Sequence, residues 1–223
     1  MNDIEAKKWI IEIGKRMYEK DYVSSNDGNI TVMTDEGYIW ATPTGVSKGH
    51  MNEEMLLKMD IDGNIIEGTY KPTSEIKMHL RVFKENPEVR SVTHAHPPFS
   101  TAFAICHKPI DKPYLIEAVI GLGTIPVAPY ALPGTQEVPD SIAPFCKDYN
   151  GCLLANHGLL TWGNTPEQAF FRMESAEMVA KTYSIVPSIG KAQGFNKEEV
   201  ERLLERRKAM GISTGGLPDL SED

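Results

Sequence analysis

The segment Val89-Arg90-Ser91-Val92-Thr93-His94-Ala95-His96-Pro97-Pro98 constrains this chain more than any other. Its apolar, β-branched run spells a buried strand, and the paired prolines end that strand at a loop. Residues two apart on a strand point the same way, so His94 and His96 present two imidazoles to one face. Alone, the pair reads equally well as two polar residues at a strand end. A third histidine shifts the balance. His157 closes the short apolar strand Cys152-Leu153-Leu154-Ala155, and Gly158 behind it lets backbone or ligand approach closely. Three neutral imidazoles plus one open position is the ligand count of a catalytic divalent-metal site, whereas structural zinc sites are closed and usually rich in cysteine.

At 223 residues, with 41% hydrophobic and 24% charged residues, the chain can bury one sizeable core and suits a single domain over 1–223. A formal net charge of −8 argues against a general nucleic-acid or anionic-membrane binder. An anionic substrate stays open, because backbone amides and a metal can hold a phosphate inside an acidic protein. Cys106, Cys146 and Cys152 are odd in number and form no Cys-x-x-Cys, which reads as reduced core thiols in a cytoplasmic protein. The charged start Met1 to Lys8 lacks a signal-peptide apolar stretch, and no apolar run approaches membrane-spanning length. The expectation is a soluble, cytoplasmic protein.

Ala6, Ile10, Ile13 and Met17 predict an amphipathic helix over Ile4 to Tyr22. Strands follow at Asn29 to Met33, Tyr38 to Ala41, and Leu56 to Ile66 folded at Asp62-Gly63. Ser74 to Phe83 reads as a helix with Thr73 or Ser74 as its N-cap. Val89 to His94, Ile125 to Ala128 and Cys152 to Trp162 supply further strands, and Pro113 to Leu122 reads as helical. Thr165-Pro166-Glu167-Gln168 is a capping box that opens a long helix to about Ile185, and Lys197 to Met210 is a last, charged and solvated helix. Gly215-Gly216-Leu217-Pro218 and the acidic end read as a loose tail. Many short strands with few helices predict an α/β sandwich around a largely antiparallel sheet.

Three segments are rich in small polar residues: Ser25 to Ile30, Thr42 to Ser47, and Lys71 to Glu75. Turns of this kind surround anions with N–H groups and hydroxyls, although each taken singly reads as an ordinary turn. In this order, together with the three histidines, they resemble the class II aldolase/adducin family. The resemblance runs through Gly28-Asn29, Thr42-Pro43-Thr44-Gly45, Pro72-Thr73-Ser74-Glu75, His94-Ala95-His96, Ile125 to Tyr130 and Asn156-His157-Gly158-Leu159. It implies a three-layer α/β/α sandwich with a mainly antiparallel central sheet, and a fourfold-symmetric homotetramer with active sites at subunit interfaces.

Residue by residue, the resemblance implies that His94, His96 and His157 bind one Zn2+ per subunit, with Mn2+ or Co2+ also open. Glu75 matches the catalytic acid/base, which also ligates the metal when substrate is absent. Gly28, Asn29, Thr44, Gly45, Thr73 and Ser74 match the positions that hold a substrate phosphate. Tyr114 falls where a catalytic tyrosine reaches a neighbouring subunit's site. The implied reaction is reversible cleavage of a ketose 1-phosphate, L-fuculose 1-phosphate or a related deoxyketose 1-phosphate, to dihydroxyacetone phosphate and an aldehyde.

The residue types suit that chemistry. Breaking a C–C bond beside a ketone needs a polarised carbonyl so that an enediolate can form, which a three-histidine zinc supplies as a Lewis acid. It also needs an acid/base within hydrogen-bond reach, and Glu75 is the candidate. Met210 stands before Gly211, where fuculose-type members carry a tyrosine, so the aldehyde is left open. Sugar-phosphate 4-epimerases of the family carry aspartate where Glu75 stands; decarboxylases and a dehydratase share the metal triad. A non-catalytic, adducin-like module is disfavoured because all the ligands are present. His79, four residues after Glu75, reads as a satisfied core histidine, and His50 and His107 as surface residues.

Overall fold

The computed structural model describes residues 1–221, and the two acidic residues Glu222 and Asp223 lie outside them. In chain order the elements are α1 (Asp3–Glu19), β1 (Asn29–Met33), β2 (Ile39–Ala41), β3 (Leu57–Met59), β4 (Ile65–Glu67) and α2 (Ile76–Glu85). Then come β5 (Ser91–Ala95), α3 (Pro98–Ile105), β6 (Val127–Ala128), α4 (Glu137–Ile142), β7 (Gly151–Leu154), β8 (Gly158–Gly163), α5 (Pro166–Ile189) and α6 (Lys197–Ala209). The strands form one sheet of eight in the order β4-β3-β2-β1-β5-β8-β7-β6. Every pairing is antiparallel except β6 with β7. Helices cover both faces, so the expected α/β sandwich with a mostly antiparallel sheet is present.

Local chemistry explains the main helices. Asn2 and Glu5 cap α1 reciprocally, each side chain accepting from the other's backbone N–H at 3.0 Å. The predicted stripe Ala6, Ile10, Ile13 and Met17 is fully buried against Ile30, Val32, Leu159 and Phe170. On the opposite face, Met78, Val82 and Phe83 of α2 share a core with Val92, Leu160 and Trp162. Val92 and His94 alternate with Thr93 and Ala95, so His94 lies on the face that α2 covers. That places the start of α2 against the histidine-bearing end of β5.

Several local expectations are corrected. Glu75, not Thr73 or Ser74, occupies the N-cap position of α2, with no side-chain capping bond. Thr73 Oγ1 instead accepts from the Glu75 N–H at 3.3 Å. Of Pro113 to Leu122 only the second part coils, ending in a wide turn over Ala118–Leu122 closed by left-handed Gly123. The box opening α5 is half made: Thr165 accepts from Gln168 N, but the Gln168 side chain turns to Asn164 N. Cys106 is exposed, unlike buried Cys146 and Cys152. The 215–218 segment is docked rather than loose. Thr124 donates to Gly215 O at 2.7 Å, Gly215 donates to Asp148 O at 2.7 Å, and Arg207 donates to Gly216 O. No helix among the described residues is long and apolar enough to cross a membrane.

Candidate metal centre and acid–base site

The hairpin of β7 and β8 brings His157 to the end of β5. His157 N–H donates to Leu154 O, closing a turn in which Asn156 takes a left-handed φ of 58°. Gly158 pairs with Leu154, and a Cβ there would lie 2.5 Å from Ala95 O and 2.7 Å from His96 Cδ2. Glycine is therefore what lets the two strand ends converge. The ligand atoms of His94, His96 and His157 all lie within 4.8 Å of one another.

The donor set fits a metal ion. His94 Nδ1 donates to the Leu159 carbonyl at 3.0 Å, which leaves Nε2 with the lone pair. That atom, like His96 Nε2 and Glu75 Oε1, is buried with no hydrogen-bond partner among the described residues. Unsatisfied buried polar atoms are costly, and three converging ones mark a place for a ligand. Behind His96, Nδ1 faces Asp27 Oδ2 at 3.6 Å, a carboxylate behind an imidazole as in many metal sites. Asp27 escaped the sequence reading, although its place two residues before Asn29 was a signal. Burial holds His94 down to about 3 and also lowers His96, so both rings are neutral at pH 7 with lone pairs free to coordinate. The His94 side chain is wholly buried, while His96 and His157 are 29% and 26% exposed. The cluster is thus closed on one side and open to a small molecule on the other.

Glu75 faces this cluster from the start of α2. Oε2 is 3.4 Å from His94 Nε2, and Oε1 is 3.6 Å from His157 Nε2. Burial alone would raise its pKa, but the His94 and His157 imidazoles and the Asn29 amide outweigh it and hold the carboxyl at about 2. Asn29, opposite His94 in the β1–β5 register, donates Nδ2–H to Glu75 Oε2 at 2.8 Å. Its Oδ1 must then accept, and it does so from His79 Nε2. The neutral His79 ring accepts a hydrogen bond from the Thr31 hydroxyl at Nδ1, 2.8 Å away. His79 is the satisfied core histidine that was expected, and it also fixes the amide that holds Glu75.

The two remaining turns meet. Pro43 and Pro72 form an isolated bridge, Thr44 N–H donates to Lys71 O, and Thr73 N–H donates to Thr42 O. Gly28 and Gly45 both take left-handed φ, 76° and 74°. The structure therefore gathers Gly28, Asn29, Thr44, Gly45, Thr73 and Ser74 from three turns, with the Asn29 side chain engaged by Glu75 and His79. Tyr114 is elsewhere in the chain. It packs against Tyr183, ring centroids 5.2 Å apart, and lines a surface cavity with Phe103, Pro113 and Phe195 that contains none of the histidines. His50 and His107 are exposed, as expected.

The class II aldolase and adducin N-terminal domain family matches residues 8–184. The chain belongs to the class II aldolase and adducin family, and its aldolase-type relatives make it an enzyme of the lyase class. It is 36% identical over 184 residues to an L-fuculose phosphate aldolase of Methanococcus vannielii, spanning 82% of this chain and 98% of that one. It is 31% identical over 186 residues to a 3-oxo-tetronate 4-phosphate decarboxylase of Pectobacterium atrosepticum, 81% and 84% of the two chains. A 5-deoxy-D-ribulose 1-phosphate aldolase of Bacillus thuringiensis shares 28% identity over 93% of this chain and 97% of its own. Among solved structures, an L-fuculose 1-phosphate aldolase superposes with a TM-score of 0.84 at 31% identity, covering 93% and 98% of the chains.

Two expected results follow from this geometry. Gly158→Ala would press on Ala95 O and both strand-end imidazoles, so a competition titration should show metal affinity lower by about 10–100-fold, the range for disturbing ligand support. Unchanged affinity would contradict the packing account. Burial also pulls His79 down to about 4 from 6.5, so the folded state favours the neutral ring. That stability is full above about pH 6.5 and is lost as pH falls toward 4, on the order of 2–3 kcal/mol. Urea unfolding of the metal-free protein at pH 7 and pH 4.5 should show the loss; equal midpoints would refute it.

Proposed function

We propose that this chain, as one domain over 1–223, is a zinc-dependent aldolase that reversibly cleaves a ketose 1-phosphate to dihydroxyacetone phosphate and an aldehyde. L-fuculose 1-phosphate and a 5-deoxypentulose 1-phosphate are the leading substrates. The observation that carries the reading is Glu75: an ionised, buried carboxylate with one oxygen held by Asn29 beside the His94 imidazole and the other unpartnered beside that of His157. A divalent ion held by His94, His96 and His157 would supply Lewis-acid polarisation of the substrate carbonyl. Glu75 Oε1 takes a proton from the carbon beside that carbonyl in the condensation direction, and returns it in cleavage. Asn29 keeps the other oxygen fixed, so the base reaches the substrate without rotating. The turns bearing Gly28 and Asn29, Thr44 and Gly45, and Thr73 and Ser74 hold the phosphate, remote binding that positions the reacting carbons.

The decarboxylase-named relative supports a second reading, loss of carbon dioxide from a 3-oxo acid phosphate at the same site. A panel of ketose 1-phosphates, together with 3-oxo-tetronate 4-phosphate, separates the two. Release of dihydroxyacetone phosphate from a deoxyketose 1-phosphate is expected; carbon dioxide from the oxo acid with no ketose cleavage would overturn the aldolase reading.

Tyr114 lies outside its own chain's cluster, which agrees with a homotetramer in which it serves a neighbour's site. Cyclic symmetry repeats one interface until the ring closes. Tyr114→Phe and Glu75→Gln should each be nearly inactive, and co-refolded mixtures should regain activity at sites that receive both native residues. No recovery despite subunit exchange, or an active monomer in sedimentation, would refute the shared site.

A further inference from the structure

The six residues proposed to hold the phosphate are all neutral, yet a buried cation lies between their loops. Lys48 is 1% exposed, one of the largest fully buried side chains in the protein. Its ammonium donates to Asn26 O at 2.8 Å and to Val46 O at 2.6 Å. Asn26 belongs to the turn that leads into Gly28 and Asn29; Val46 follows Thr44 and Gly45. One side chain thus ties two of the three turns together. Its backbone is anchored in turn: a Cβ on Gly14 of α1 would lie 2.5 Å from Lys48 O, so the helix packs hard against the residue that carries the tie.

No carboxylate among the described residues lies within ion-pair distance of this nitrogen. Asp27 acts on it from further off, and burial, the larger influence, pulls the ammonium down to about 8. A buried charge without a close counterion is costly unless something compensates it. Backbone carbonyls do so in part through their dipoles. An anion cradled by the same loops would do so further, and the gain is mutual, since a bound anion and a nearby cation stabilise each other reciprocally. Lys71, the other lysine near these turns, is exposed and screened by solvent.

We propose that Lys48 is a positioning residue for phosphate recognition: its buried ammonium clamps the Asn26 and Val46 loops and supplies the positive charge that the neutral phosphate contacts lack. The proposal rests on the phosphate-site reading above. It makes Lys48 a determinant of the preference for phosphorylated over unphosphorylated ketoses, separate from the metal and Glu75.

The test compares the metal-loaded wild type with Lys48→Met, which keeps the stem and removes the charge. Substrates are the ketose 1-phosphate active in the panel and its unphosphorylated parent, with inorganic phosphate as inhibitor. KM for the phosphorylated ketose and the inhibition constant of phosphate should rise about tenfold or more, as expected for loss of a charge-assisted contact network. The ratio of kcat/KM for the phosphorylated ketose to that for its parent sugar should fall by at least the same factor with metal content unchanged, whereas a merely structural role would lower both sugars together. Equal losses on both sugars, or an unchanged phosphate constant, would overturn the role of Lys48. If Lys48→Met does not fold, Lys48→Gln is read by thermal unfolding. Inorganic phosphate should stabilise the wild type and stabilise the variant far less, and equal stabilisation would overturn the proposal. A wild type that neither discriminates nor responds to inorganic phosphate would refute the phosphate site itself, and Lys48 with it.

Discussion

His157→Ala should leave a folded protein that no longer holds its metal and no longer turns over. The three imidazoles converge within 4.8 Å, and two of them carry buried, unpartnered nitrogens that only a ligand can satisfy. Loss of an outer-shell partner already costs 10–100-fold in metal affinity, so loss of a ligand should exceed about 100-fold. Activity should fall in parallel, because the carbonyl would lose its Lewis acid. The fold should survive: the His157 side chain is 26% exposed in a turn, and its backbone bond to Leu154 does not depend on the ring. Metal analysis after gel filtration, beside a thermal unfolding curve, reads both. Full occupancy and full activity in the variant would remove His157 from the site.

Glu75→Gln should do the opposite to the metal and the same to the rate. Glutamine matches the shape of glutamate, and its side-chain oxygen can still accept from Asn29 Nδ2, so the position should persist. The three histidines remain, so metal content should stay near one per chain. What disappears is the group that takes and returns the proton, a loss of roughly 10²–10⁴-fold in kcat with KM little changed. Turnover within a few-fold of wild type would show that the proton moves through another group.

Much of this site is written locally. The two-residue period of β5 puts His94 and His96 together, and the apolar run before His157 puts the third ring at a neighbouring strand end. The capping and apolar stripe of α1 are equally local. What the residues did not disclose depends on partners distant in sequence. Asn29 sits in a turn-like string, but its pairing with His94 across β1 and β5 sends its amide to Glu75, 46 residues away. Nothing in the polar string Ser-Lys-Gly-His marks Lys48, which is buried only because α1 closes over it. Pro97-Pro98 reads only as a strand end, which it is, but Pro98 also opens α3, a helix the sequence does not announce, because proline suits the first helical position. The 215–218 segment looks loose by composition. Its glycines instead allow a close approach: Gly215 takes a φ of 112°, and a Cβ there would strike the Arg207 guanidinium.

The central claim is that a metal-bearing histidine cluster and Glu75 labilise a hydrogen beside the carbonyl of dihydroxyacetone phosphate. NMR of that compound with the enzyme in deuterated water reads this half-reaction directly, whatever the aldehyde. The metal-loaded wild type should exchange one hydroxymethyl hydrogen for deuterium, and exchange should stop after chelation and in Glu75→Gln. Failure of the loaded wild type to exchange, or exchange undiminished without metal or without the Glu75 carboxylate, would contradict the account.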